Sequence, residues 1–387
     1  MFQKTKKILL IAVLLFITVF FSGCINLTKK EEVVAKRKIN ANQGVFKSVD
    51  GGKTWEHKIS LGGDEFIDNV KISSMKIDPK NNNNLFLGTV ANGLYKSENG
   101  ADLWMKVVDE NNILSATAAI NDIDIEKNNP NIIYLAAMNN KKGVLLKSDD
   151  GGKKWIESYI ANETSKTVNV VKIDPISQNV VYIGTAQGGL LRSENRGLTW
   201  EPVKWFGADS GVDSILIDMK NNNGIIVKTD ISIQKSVDKG ENWTNVMPKI
   251  RKILTKKATV GKINSITMNL TNPLIIYATY QNLVIISRDG GDNWEVLDTI
   301  TPAKTVVGTI PQIKQIGLVD NIMYYGAGNA LYKSEDAGKT WSSYAISILG
   351  DVRYTVSDYT NPDVIYVGSF YDPPPPPKRQ RSPLFNF

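Results

Sequence analysis

The covalent and metal chemistry open to this chain of 387 residues is bounded by one cysteine, Cys24, and one histidine, His57. A disulfide needs two thiols and a zinc site needs several nitrogen or sulfur ligands, so neither is expected. Hydrolysis through a histidine base would rest on His57, which directly follows a tryptophan turn and reads as a strand-face residue without a partner nucleophile. Carboxylates number 39, yet no motif singles out the pair at defined separation that glycoside hydrolysis requires. No catalytic residue, metal ligand or cofactor is therefore expected.

The residue types that remain suit recognition. The stretch 249–262 carries Lys249, Arg251, Lys252, Lys256, Lys257 and Lys262 with no acid, and Arg353 stands apart from it. Trp205 lies beside Phe206 and Asp209, while Asp64, Glu65, Asp68, Asp109 and Glu110 supply the opposite charge. Basic, aromatic and acidic segments of this kind fit docking of a polar partner. Their arrangement depends on the elements that carry them.

Those elements repeat. Ser48-Val-Asp50-Gly-Gly-Lys-Thr-Trp55 returns with Ser97, Asn99 and Trp104, then with Ser148, Asp150 and Trp155. It returns again with Ser193, Asn195 and Trp200, with Ser236, Asp238 and Trp243, with Ser287, Asp289 and Trp294, and with Ser334, Asp336 and Trp341. Seven of the 8 tryptophans close such a copy, at separations of 49, 51, 45, 43, 51 and 47 residues, which suits one four-stranded blade per copy. The motif reads as a folded turn: Ser and Asp oxygens accept turn amides, Gly takes positive φ, and Trp covers the turn.

Two further strands precede most copies. Lys76-Ile-Asp-Pro79 leads to Asn84-Leu-Phe-Leu-Gly-Thr89, and Lys172-Ile-Asp-Pro175 to Asn179-Val-Val-Tyr-Ile-Gly-Thr185. Alternating apolar runs broken by Asp-Pro and Asn clusters are hairpin signals, so a blade reads A, B, C, turn, D. The first turn has no A and B before it, and the last A and B, around 352–355 and 364–370, have no turn after them. The expected fold is all-β, a seven-bladed propeller with N- and C-terminal strands joined in one composite blade, which leaves no free sheet edge.

The Ser-x-Asp-x-Gly-x-x-Trp motif resembles the Asp-box, or bacterial neuraminidase, repeat, and with the Ile-Asp-Pro wording the resemblance spans about 44–370. Sialidases, xyloglucan-cleaving hydrolases, sortilin-type receptor propellers and the photosystem II assembly factor share it, so it implies fold more than function. A sialidase reading would require an arginine triad. Of the eight arginines, Arg196 and Arg288 lie inside boxes, Arg192 in a strand, and Arg37, Arg379 and Arg381 in the ends, which leaves only Arg251 and Arg353 for face loops. The xyloglucanase-like reading stays open as the alternative, a glycoside hydrolase of this class. The single ring resembles most the assembly-factor type, which implies a docking platform for a protein, peptide or glycan.

Charge sits at the ends. The formal +7 falls to 35 basic against 37 acidic side chains within residues 41–372, so no nucleic-acid partner is expected. Lys4, Lys6 and Lys7, the apolar run 8–21 and Ser22-Gly23-Cys24 read as a secretory signal ending in a segment similar to a bacterial lipobox. The expected layout is a lipoprotein signal at 1–23, a tether at 24–41, the propeller at 42–372 and a Pro-rich basic tail at 373–387. Lipidation at Cys24 would place a monomer on a membrane, facing the extracytoplasmic side.

Overall fold

The computed structural model describes residues 43–162, 166–220, 223–254, 261–269, 271–297, 316–348 and 350–370. The signal segment, Cys24, the tether, Lys256, Lys257 and the Pro-rich tail lie outside the described residues. Seven four-stranded antiparallel sheets form the blades. Blade 1 runs inner to outer through Ile72–Ile77, Leu85–Thr89, Leu94–Ser97 and Met105–Lys106, and blades 2 to 6 repeat that order along the chain. Blade 7 joins Asp351–Ser357 and Ile365–Phe370 to Gly44–Ser48 and Glu56–His57, the composite expected from the sequence. Inner strands touch in succession around the ring, and blade 7 closes back onto blade 1.

The core lies between blades. Phe86 and Leu94 of blade 1 pack with Ile120, Ile123 and Leu135 of blade 2, and six further clusters fill the other junctions in the same way. The recurrent glycine of the second strand has its physical cause here. A Cβ on Gly184 would lie 2.3 Å from Val212 of the next blade, and one on Gly326 would lie 2.1 Å from Val352. Glycine lets adjacent blades approach at their narrow inner end.

Each Asp box folds alike. In all seven copies the serine hydroxyl accepts the amide four residues on, at 2.8–2.9 Å. The same hydroxyl donates to the Asp or Asn oxygen, which in turn accepts the amide before the tryptophan. An amide of every box also donates to a carbonyl in the A–B turn of its own blade, as Gly100 does to Asn83 at 2.9 Å. The boxes and A–B turns therefore share one face, and the B–C turns and the start of each inner strand share the other. Hydrogen bonds from Thr54 hold Asp50 down at about 2, and those from Asn242 and Thr340 do the same for Asp238 and Asp336. Those carboxylates are committed to the turn.

Candidate functional site

A bulge recurs near the start of the inner strand in six blades, at Ser73, Asn121, Asn169, Asp213, Asn264 and Arg353. Bulges re-aim side chains, and here they ring one mouth of the axial channel with polar groups. The channel behind them is a funnel of about 610 Å³ lined by all six. Part of the ring stitches blades together: Ser73 donates to the Ile120 carbonyl, and the Asn121 amide to Val168 O at 2.8 Å. Asp213 instead holds Lys228 at 2.6 Å. Lys228 occupies the second-strand position filled by Gly88, Gly184, Gly326 and Gly368 elsewhere, and is only 2% exposed. A buried ion pair at a position that favours glycine gains little stability by itself, which makes it a marker of the funnel's chemistry.

Deeper in the channel, Lys76, Asp124 and Lys172 stand at the same level of blades 1, 2 and 3. Asp124 lies 2.8 Å from Lys76 and 3.7 Å from Lys172, and accepts the Ile173 amide. Burial would raise its carboxyl, but Lys172 and Lys76 outweigh that and lower it. Asp122, two residues earlier, accepts the amides of Ile123 and Val171. Burial pushes it up to about 6, with Lys76 opposing and Asp124 adding to the rise. Neighbouring carboxyls with opposite shifts can divide acid and base roles.

The structure places the sequence-predicted residues at different radii. Arg353 belongs to an inner strand and lines the funnel, a correction to its expected place on a loop, because the bulge at Val352/Tyr354 turns a strand residue toward the axis. Trp205 ends the outer strand of blade 3 and is 52% exposed, above a groove of about 510 Å³ shared with Tyr159, Pro202 and Lys204. Phe206 turns inward and meets Trp243 edge-on, with 5.2 Å between ring centroids, while Asp209 stays exposed in the following turn.

The basic segment is not a face loop in its described part. Met247–Leu254 is a helix whose Met247, Ile250 and Leu254 face the core while Lys249, Arg251 and Lys252 face out, a helical spacing that the charge pattern masked. It packs on the outer strand of blade 5, and Lys249 donates to the Asp292 carbonyl in that blade's Asp box at 2.8 Å. These cations therefore belong to the rim, apart from Arg353. Two acids also leave the expected site: Asp68 is buried, and Asp109 is buried under the amides of Asn111, Ile113, Leu114 and Trp155. His57 stacks on Phe46 at 4.4 Å and bonds the Gln43 carbonyl, as a strand-face residue would. Sequence reasoning missed the bulge ring, whose signal is a polar residue directly after a branched residue near the start of six inner strands.

Residues 199–372 match the family profile described as photosynthesis system II assembly factor YCF48. A xyloglucanase of a Paenibacillus species is 23% identical over 357 residues, covering 75% of this chain and 32% of its own length. The chain thus spans about a third of that relative. The GH74 xyloglucanase of Xanthomonas campestris superposes with a TM-score of 0.60 at 13% identity, over 82% of this chain and 54% of that one. A structure of YCF48 bound to D1 peptide does so with a TM-score of 0.56 at 13% identity, over 78% and 94%. At these identities the likeness shows the fold: this chain is a seven-bladed Asp-box propeller of the type expected from its repeats.

Proposed function

We propose that this chain is a docking platform that takes a peptide segment of a protein partner across the face where the inner strands begin. The observation that carries this reading is the open polar funnel ringed by Ser73, Asn121, Asn169, Asp213, Asn264 and Arg353. Amides, hydroxyls, a carboxylate and a guanidinium offer both donors and acceptors, which suits an extended backbone with polar side chains. The exposed Trp205 on the same face adds an aromatic anchor. The YCF48 structure with D1 peptide supports the reading, since it joins this fold to a peptide ligand. A lipid on Cys24 would hold the platform at an extracytoplasmic membrane surface, and Cys24→Ser would release it into the soluble fraction. The test is a pull-down of membrane proteins with wild type and with Arg353→Ala. Capture that survives this change undiminished, together with Trp205→Ala, would refute docking on this face.

A second reading, glycoside hydrolysis, is favoured by one observation: Asp122 is raised and Asp124 lowered within the funnel. Turnover of a β-glucan by the purified ring, abolished in Asp122→Asn, would establish it. The commitment of both carboxylates to backbone amides and lysines argues for the docking reading.

A further inference from the structure

The axial channel has a second mouth, on the Asp-box face, and its chemistry differs from that of the funnel. The layer of Lys76, Asp124 and Lys172 lines both cavities and so divides them. Below it lies a pit of about 250 Å³ with a predominantly apolar wall, including Ile125, Ile173, Pro175, Met219 and Tyr359. The Asp-Pro words of the sequence build this rim: Asp174 turns back to accept the amides of Ile176 and Ser177, leaving Pro175 at the edge of the pit. Lys127 stands exposed beside it.

Charge at the base of the pit is uneven. Among the described residues, the ammonium groups of Lys76 and Lys172 both pair with the carboxylate of Asp124. Asp174 also lines the pit but is turned onto the amides of Ile176 and Ser177, and Asp122 lines the funnel, with its oxygens on the amides of Ile123 and Val171. Lys172 keeps 34% of its side chain exposed, so its ammonium can reach an incoming anion. An apolar wall over a cationic base is complementary to a molecule with one anionic head and an apolar body. The volume lies below the roughly 300–1,000 Å³ of clefts that hold drug-sized ligands, which limits the body to a few carbons or one ring.

We propose that this second mouth binds a small apolar acid, a short aliphatic or aromatic carboxylate. Its body packs on Ile125, Ile173, Met219 and Tyr359, and its head rests on Lys172 and Lys76. This site is independent of peptide docking on the opposite face.

The experiment is a calorimetric titration of the full chain with hexanoate, benzoate, hexanol and hexylamine. Saturable 1:1 binding of the two acids is expected, with hexanol and hexylamine at least tenfold weaker. Lys172→Met should weaken hexanoate at least tenfold. Tyr359→Ala, at an exposed position, should weaken it severalfold. Arg353→Ala, at the other mouth, should leave it unchanged, so failure of this site and failure of the docking face are told apart. The proposal is overturned if hexanol binds as tightly as hexanoate, if neither acid saturates, or if both the Lys172 and Tyr359 variants bind as wild type.

Discussion

Val212 of blade 4 packs so closely on Gly184 of blade 3 that a methyl group at Gly184 would sit 2.3 Å from Val212 Cγ1. The contact is backbone against a branched side chain at the inner end of two blades, where neither can withdraw. Gly184→Ala should therefore destabilise the ring by about 1–3 kcal/mol through overpacking. Adding Val212→Ala should recover part of that loss. A double-mutant cycle in urea measures the coupling, and strictly additive losses would show that the junction is looser than this geometry.

Trp155 is fully buried and its indole N–H donates to the Gly152 carbonyl at 3.1 Å. Trp155→Ala should cost about 3–5 kcal/mol. Trp55 makes the same bond to Gly52 but is only partly buried, so Trp55→Ala should cost less. Equal losses in chemical denaturation would mean that the hydrogen-bonded turn, not burial, sets the cost.

Closure rests on residues from the two ends of the chain. Gly44–Ser48 pairs along its length with Ile365–Phe370, and the Gly51 amide donates to the Asp363 carbonyl at 3.0 Å. Removing residues 351–387 should open the ring and lower the melting temperature sharply. Removing only 373–387, past the last described strand, should leave it unchanged. A thermal melt of the two truncations checks both statements.

The fold was legible because its signals are local and repeated. Seven serines and tryptophans at blade spacing, with strands A and B left over at the far end, are enough to derive the composite blade. The functional face was less legible because it depends on radius, which sequence order does not encode. Lys249, Arg251 and Lys252 looked like part of an acid-free loop, yet Met247, Ile250 and Leu254 between them make one apolar helical stripe. Phe206 and Trp205 are neighbours in the chain, but one enters the core and the other faces solvent. Arg353 reads as a face-loop residue, yet it stands in an inner strand whose bulge aims it at the axis.

Asp122 gives the channel a pH signature. Its folded carboxyl is raised from 3.8 to about 6, so the stability it contributes is present below pH 3.8 and lost as pH rises through 6. Asp122→Asn removes that loss. The variant should exceed wild type by about 1–2 kcal/mol at pH 7.5, a figure discounted because the side chain is only half-buried. The gap should close below pH 4. Urea titrations at several pH values measure it, and a variant weaker than wild type at pH 7.5 would mean that the ionised carboxylate is needed for the Lys76 network.

The last prediction separates the axial face from the rim. Arg353 lines the funnel, whereas Lys249, Arg251 and Lys252 lie on the helix beside blade 5. If a partner peptide enters the funnel, Arg353→Ala should weaken its capture about tenfold or more, as loss of a partly desolvated charged contact does. The rim change Arg251→Glu with Lys252→Glu should act through long-range attraction alone. Its effect should therefore be modest, and should fade as salt rises and the screening length falls to about 8 Å at 0.15 M. Measuring both variants against one captured partner at low and physiological salt gives four affinities. A large, salt-insensitive loss confined to Arg353 places the contact at the axis. A loss confined to the helix variant would move the docking surface to the rim, and the funnel would then be a structural girdle.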